Sequence, residues 1–524
     1  MVQSTETWRT SPAWTQGRGR FRACAARIFC VRVIGRRVCA ETIGAATCIV
    51  LAPSATGVVN KYAGEGMETW YERLSTLDSL FLELEDRSAH MHVGAVAIFE
   101  GPPPPYRDLL ALIEARLEHV PRYRQRVMFV PLKQGRPVWV DETQFDLEYH
   151  VRHTALPAPG GETELKKLVG RLFSQALDRD KPLWEMWLVE ALGESRFAIV
   201  SKTHHCMLDG VSGVDLATVL MDRRPDPSPP PAPAPWKPRK APKTADLLVS
   251  SIKEQLSNPL RMARQALQPN SEAVKLLSEL FSGLRPFVDV VTMGRAPLSP
   301  LNVPIGPHRR FEMVEIPLAK VKAVRAAHGG TVNDVILATV AGALRTWLSA
   351  RHGPAETDLR VLVPVSMRSR KARGTYGNQV SAVFCTLPLT EPDPVQRLRK
   401  VHAAMMTAMK SGSAVGAHAL SRLGDFAPPQ LLAQAARLQA VTRMFNLVVT
   451  NVPGPQFPLY LLGRQMLRCY PQVPLAAHQS VGIALLSYHG QIGAGLLGDA
   501  DAARDLPALA QAMHEALDEL HAAG

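Results

Sequence analysis

Two adjacent histidines, followed at a fixed interval by an aspartate and a glycine, are the residues of this chain best suited to chemistry. They are His204 and His205, with Asp209 and Gly210 after a gap of three residues. The apolar run Phe197–Thr203 predicts a buried strand that leads into them. Because side chains alternate between the faces of a strand, we expect one histidine to face a cleft and the other to face the fold interior. The pattern therefore favours one catalytic base with a supporting neighbour over a two-histidine metal site.

The composition is that of a globular protein with more than one domain. The chain has 524 residues, of which 46% are hydrophobic and 20% are charged, and a chain of this length normally forms two or three domains. Its net charge of +13 favours anionic partners such as nucleic acid, acidic membranes or phosphorylated ligands. We find no nucleic-acid-binding module, and we interpret the excess charge as a solvated tail and linker.

The cysteines and the hydropathy indicate a reducing compartment and no membrane-spanning segment. Seven cysteines form no disulfide framework, which favours free thiols. Cys206 adjoins the histidines and is a possible nucleophile, but the apolar residues after it favour a packing role. The most apolar stretch, residues 45–59, is shorter than a membrane span and contains Pro53.

Changes in composition divide the chain into four regions. Residues 1–66 carry eight Arg and one Lys against three Glu, and we predict either a disordered basic extension or an untranslated stretch, with Met67 then as the natural start. Residues 67–222 alternate helix and strand patterns, and residues 223–299 form a Pro-rich basic linker followed by amphipathic helices. Residues 300–524 form a second α/β region.

The second region contains further polar residues at places where elements begin or end. Asn333 and Asp334 lie near the predicted start of a long helix, and Arg368 follows a buried strand at residues 360–366. The chain has no Gly-rich nucleotide loop, no paired-cysteine zinc spacing and no Gly-x-Ser-x-Gly elbow. These absences argue against dehydrogenases, kinases and serine hydrolases.

Together these motifs resemble one known family. The His-His-x-x-x-Asp-Gly segment resembles that of the CoA-dependent acyltransferase superfamily, and the rest is similar to the bacterial wax ester synthase/diacylglycerol acyltransferase family. The resemblance runs colinearly from residue 67 to about 520. The other segments that carry it are Leu74–Phe81, Met91–Gly94, Pro182-Leu183-Trp184, Asn333-Asp334, Pro364–Arg368, Gly377-Asn378 and Asn451–Pro455.

The resemblance implies an α/β (α+β) fold. It implies two chloramphenicol-acetyltransferase-like domains with mixed sheets and an active-site tunnel between them. Acyl-CoA would enter as a co-substrate, with diacylglycerol or a long-chain alcohol as acceptor, and neither a metal nor a bound cofactor is expected. We expect a cytoplasmic protein that associates peripherally with the inner membrane or lipid inclusions.

The resemblance also implies roles for individual residues. His205 would be the general base, with His204 in support, and no covalent acyl-enzyme would form. Asp209 would hold the turn, by pairing with an arginine such as Arg368, and Gly210 would permit the tight bend.

Other residues are expected to bind substrate or to stabilise the developing charge. Asn333 suits two roles equally, as an oxyanion donor or as a helix cap. Pro182, Leu183, Trp184, Asp334 and Arg368 are assigned to substrate binding, although a tryptophan in the core is the commoner case. The basic linker is suited to attract CoA phosphates or anionic lipid.

Two alternatives to this function stay open. One is a related acyltransferase that uses a different alcohol or an amine as acceptor. The other is a lipid-binding droplet protein without turnover, which the presence of both His205 and Asp209 weighs against.

Overall fold

The structure is a computed structural model, and it describes part of the chain. The described residues are 27–33, 36–43, 46–47, 70–207, 219–226, 235–254, 294–366, 380–410, 415–416 and 443–524. The chain divides into two compact units, residues Met1–Glu65 and Gly66–Gly524.

The first unit contains a small antiparallel sheet where the sequence predicted a disordered extension. Its strands are β1 (Arg27–Val33), β2 (Arg36–Ile43) and β3 (Ala46–Thr47), paired in that order. Branched side chains recur through Arg27–Val33 and Arg36–Ile43, a composition that favours strands over disorder. The other residues of this extension lie outside the described part of the chain.

Helices of the second unit follow the apolar periodicity of the sequence. Residues 244–254 are also helical, within the region where amphipathic helices were predicted; residues 255–293 lie outside the described part of the chain. The named helices are α1 (Thr76–Leu84), α2 (Tyr106–Arg116), α3 (Leu147–His150), α4 (Glu162–Phe173), α5 (Leu318–His328), α6 (Val332–His352), α7 (Pro394–Lys410) and α8 (Leu506–Ala522).

The strands of this unit form three sheets. They are β4 (Glu72–Arg73), β5 (His92–Phe99), β6 (Gln125–Met128), β7 (Val138–Asp141), β8 (Val151–Ala155), β9 (Trp184–Leu192), β10 (Arg196–His204), β11 (Arg309–Pro317), β12 (Leu359–Ser366), β13 (Val380–Leu387), β14 (Val415–Gly416), β15 (Leu447–Pro453), β16 (Tyr460–Leu461), β17 (Arg464–Gln472), β18 (Val481–Tyr488) and β19 (Gln491–Asp499).

Both large sheets are mixed, as the predicted fold class requires. The six-stranded sheet has the order β16-β17-β5-β10-β9-β8, and the seven-stranded sheet has the order β11-β19-β18-β15-β12-β13-β14. Parallel pairs join β8 to β9, β12 to β15 and β15 to β18. A third, three-stranded sheet has the order β4-β7-β6.

The strand that carries the histidines is central to the six-stranded sheet and is buried on both faces. Phe197 and Ile199 pack into one hydrophobic cluster with α2, and Ala198 and Val200 pack into another with α4. This alternation is the period-two pattern of a strand. Burial of both faces fixes the register of β10, and with it the place where His204 and His205 emerge.

One strand pairing crosses between the two halves of the chain. β17 lies in the second α/β region of the sequence but pairs antiparallel with β5, next to β10. The six-stranded sheet that carries the histidines is therefore completed by residues far away in sequence.

Candidate active site

Main-chain hydrogen bonds hold the turn that carries the paired histidines. His204 ends β10, and His205–Met207 forms a single 3-10 turn. The N–H of His204 donates to the Leu183 carbonyl (2.9 Å), and the N–H of His205 donates to the Met91 carbonyl (2.8 Å). Leu183 and Met91 belong to two of the motifs found in the sequence, so these motifs position the histidines through their backbones.

The ring of His205 packs against helix α1. It stacks on Phe81 with ring centroids 3.9 Å apart and an interplanar angle of 24°, while part of the residue stays exposed. Burial lowers the pKa of His205 to about 4, although an interaction with its own main chain raises it and the neighbouring His204 lowers it further. His205 is therefore neutral at pH 7, which is the form that a general base needs.

The ring of His204 points into the protein and is 1% exposed. Its Nδ1 accepts a hydrogen bond from the N–H of Cys206 at 3.1 Å. Its Nε2 lies 3.5 Å from the Oε2 atom of Glu85. The ring of His204 thus lies in the fold interior, whereas His205, in the 3-10 turn, packs on α1 and stays partly exposed.

Glu85 is the centre of a buried polar cluster that the sequence motifs did not predict. Its side chain is 7% exposed, and its Oε1 lies 3.6 Å from His92 Nε2 and 4.0 Å from His90 Nδ1. The Nε of Arg179 donates to its Oε2 at 3.0 Å. Burial raises the pKa of Glu85, but the nearby His204 and the bond and charge of Arg179 outweigh burial and lower the pKa below its usual value.

A local signal for this cluster was available in the sequence. Glu85 directly follows helix α1, and His90 and His92 flank Met91, which belongs to a motif segment. Glu85, His90 and His92 lie within eight positions, and His92 is part of the segment Met91–Gly94, so these titratable residues form a candidate functional group. Their convergence on His204 depends on the pairing of β5 with β10, where His92 lies opposite His204.

The Pro182-Leu183-Trp184 segment lies in the core. Trp184 is 1% exposed, donates from Nε1 to the Tyr123 carbonyl at 2.8 Å, and stacks on His150 at 4.7 Å. Pro182 and Leu183 are also buried. The position of Trp184 matches the core alternative, and the contact of this segment with the histidines is the main-chain bond from His204 to Leu183.

Asn333 and Asp334 lie in the first turn of α6. Thr331, and not Asn333, caps this helix: its hydroxyl accepts from the N–H of Asp334, and the Asp334 carboxylate accepts from the N–H of Thr331. Asp334 is 2% exposed and also bonds His402 Nδ1 at 2.8 Å. The Oδ1 of Asn333 accepts from Asn451 Nδ2 at 3.2 Å, so two motif segments meet here.

Three predicted site residues lie outside the described residues. They are Asp209, Gly210 and Arg368. The pairing of Asp209 with Arg368 therefore stays a prediction. Cys206 is described and is 2% exposed, and burial raises the pKa of its thiol well above the usual value, which favours the packing role.

The basic part of the Pro-rich linker lies against the three-stranded sheet β4-β7-β6. Arg239 forms two side-chain bonds of 2.8 Å to Asp141 on β7, and its guanidinium lies over the Trp70 ring. Lys237, Lys240 and Lys243 are exposed. The segment is thus anchored by one arginine, and its lysines face solvent.

Two features are absent from the described residues. None of their helices is long and apolar enough to span a membrane. Among these same residues, no group of three or more His, Cys, Asp or Glu side chains has a geometry that would hold a metal ion.

Two family models match most of the chain. The wax ester synthase/diacylglycerol acyltransferase catalytic domain matches residues 74–336, and the WS/DGAT C-terminal domain matches residues 376–521.

Curated proteins with similar sequences carry names of the same kind. The probable diacylglycerol O-acyltransferase tgs1 of Mycobacterium tuberculosis strain H37Rv is 35% identical over 459 residues, which is 85% of this chain and 95% of that protein. The probable diacylglycerol O-acyltransferase tgs2 of the same strain is 34% identical over 431 residues, covering 80% of this chain and 92% of that protein.

Solved structures agree with these matches. The wax ester synthase/diacylglycerol acyltransferase of Marinobacter aquaeolei VT8 aligns with a TM-score of 0.60 and 29% identity, covering 86% of this chain and 99% of that one. The first condensation domain of the CDA synthetase shares the fold at a TM-score of 0.50 and 16% identity, over 87% of this chain and 97% of that one. Matches along both halves, in sequence and in structure, show that this chain belongs to the wax ester synthase/diacylglycerol acyltransferase family.

Proposed function

We propose that this protein transfers a long-chain acyl group from acyl-CoA to the hydroxyl of diacylglycerol, of a long-chain alcohol, or of both. The observation that carries the proposal is the placement of His205: it directly follows a doubly buried strand, is neutral at pH 7 and packs on an aromatic ring of α1. Family membership supplies the reaction class, because the matching relatives are named diacylglycerol O-acyltransferases and a wax ester synthase.

In the proposed reaction, His205 acts through Nε2. Its Nδ1 is buried and has no hydrogen-bond partner among the described residues. We assign the proton of the neutral ring to Nδ1, which leaves the Nε2 lone pair to accept the proton of the acceptor hydroxyl.

The bonds change in two steps. The acceptor oxygen loses its proton to His205 and attacks the thioester carbonyl, which gives a tetrahedral oxyanion. The oxyanion collapses, the carbon–sulfur bond breaks, and the CoA thiolate takes the proton from His205. The products are the oxygen ester and free CoA, and no acyl-enzyme forms.

Asn333 is the proposed donor to the oxyanion. Its Oδ1 accepts from Asn451. This bond orients the amide so that the Nδ2 protons point away from Asn451, and in the proposal they donate to the oxyanion. A donor of this type contributes about 3–4 kcal/mol to stabilisation of the transition state. Asp334 supports this position by closing the capping box of α6.

The remaining proposals concern the organisation and location of the protein. We propose catalytic halves at residues 67–222 and 300–524, with a tunnel between them and residues 223–299 as the connection. The exposed Lys237, Lys240 and Lys243 support attraction to CoA phosphates or anionic lipid. A cytoplasmic location, with peripheral attachment to the inner membrane or lipid inclusions, fits this charge.

The acceptor is tested by identifying the product. The purified protein is incubated with radiolabelled palmitoyl-CoA and diacylglycerol, hexadecanol or hexadecylamine, and the lipids are separated by thin-layer chromatography. We expect labelled triacylglycerol, wax ester or both. Label found only in the amide, or in no product although the protein is folded, would overturn the proposal.

A further inference from the structure

A single buried carboxylate faces three imidazole rings beside the proposed base. Glu85 approaches His204 and His92 within 3.6 Å and His90 within 4.0 Å, and all four side chains are at most 7% exposed. Buried polar groups at such density are costly unless they are held in defined pairs. The arrangement therefore calls for an account beyond packing.

One hydrogen bond determines which ring nitrogen of His204 carries the proton. Nδ1 accepts from the N–H of Cys206, so Nδ1 has no proton and Nε2 carries it. The Nε2–H then faces Glu85 Oε2 at 3.5 Å. A carboxylate at this position favours that tautomer over the one that would lose the bond to Cys206.

Two hydrogen bonds hold the main chain on both sides of His205. Its own N–H donates to the Met91 carbonyl, and the next N–H, that of Cys206, donates to His204 Nδ1. With both flanking peptide groups held, the direction of the His205 side chain is restricted to the rotamers that this backbone permits.

We propose that Glu85 is a positioning residue for the base: its carboxylate holds the Nε2–H tautomer of His204, and His204 fixes the main chain that directs His205. The inference rests on the proposed function, because it takes His205 as the base. The residue acts through His204 and makes no contact with the reacting atoms.

Arg179 orients this carboxylate. Its Nε donates to Glu85 Oε2 at 3.0 Å, and its Nη2 donates to the Leu82 carbonyl at 3.0 Å. The guanidinium thus ties the end of α1 to the loop before β9. Arg179 is 39% exposed on its side chain, so changing it disturbs the core less than changing Glu85.

The test compares Glu85→Ala, Glu85→Gln and the matched control Glu83→Ala. Glu83 lies two residues away and pairs with Lys133 at the surface. Loss of positioning at a reacting group costs about 100-fold in rate, so we expect Glu85→Ala to lower kcat by about that factor with KM little changed. Glu85→Gln keeps an acceptor for Nε2–H and should stay within about tenfold of the wild type.

A double-mutant cycle separates action through His204 from a general structural role. If Glu85 acts through His204, adding Glu85→Ala to His204→Ala lowers kcat no further. Independent, multiplying losses would overturn the inference, as would a kcat of Glu85→Ala equal to that of Glu83→Ala, or a kcat of Glu85→Gln as low as that of Glu85→Ala. If Glu85→Ala does not fold, Arg179→Gln replaces it in the cycle. An inactive wild type would instead count against the proposed function.

Discussion

At the scale of the residue, the protonation state of His205 is set by its surroundings. Packing under Phe81 and burial lower its pKa to about 4, compared with about 6.5 for a free histidine. The neutral form thus predominates through the whole physiological range. The lowered pKa makes His205 a weaker base. The donor to the oxyanion then has to supply more of the stabilisation of the transition state.

This depressed pKa predicts an unusual dependence of rate on pH. The active form is neutral His205, so kcat/KM should stay level from pH 7 down to about pH 5 and fall only as the pH approaches about 4. The measurement is thiol release under saturating acceptor over pH 4–8, with circular dichroism as a check on folding. An acidic limb centred near the free-histidine value would contradict the buried environment described for His205.

At the scale of the element, the sequence predicted the strands well because their signal is local. The strand expected at Phe197–Thr203 is β10, Arg196–His204, and the strand expected at residues 360–366 is β12, Leu359–Ser366. The cluster around Glu85 was not predicted, because it requires the register between β5 and β10 in addition to periodicity. The sequence suggested Asn333 as a cap of α6, whereas Thr331 takes this role in the structure.

The start of α6 offers a prediction about stability. Thr331→Ala removes the hydroxyl that caps the helix, and N-cap loss costs about 1 kcal/mol in free energy of unfolding. Thr331→Ser keeps the hydroxyl and should be nearly as stable as the wild type. Urea denaturation followed by tryptophan fluorescence measures both, and equal midpoints for Thr331→Ala and Thr331→Ser would contradict the assigned cap.

At the scale of the whole molecule, the two halves of the sequence share one sheet. β17 places Met466 opposite Phe99 and Tyr470 opposite Val96 on β5. The sequence did not indicate this crossing, because Arg464–Gln472 mixes polar and apolar residues and contains Pro471. Local patterns do not encode a strand pairing across more than 350 positions.

This shared sheet predicts that the first half depends on the second. A fragment of residues 67–299 would expose the edge of β5 that β17 covers, and an open apolar edge promotes aggregation. We expect the fragment to be insoluble alone and soluble when it is co-expressed with residues 300–524. A soluble 67–299 fragment that unfolds cooperatively by itself would contradict this dependence.

The central claim is that His205 is the base for acyl transfer to a hydroxyl, and one measurement tests it most directly. Free thiol released from palmitoyl-CoA is followed with diacylglycerol and, separately, with hexadecanol, for the wild type, His205→Ala and the control His119→Ala, whose histidine lies at the surface. The account predicts acceptor-dependent release in the wild type and in His119→Ala, and a loss of at least about 1000-fold in a folded His205→Ala. Release that persists in folded His205→Ala at the wild-type rate would contradict it.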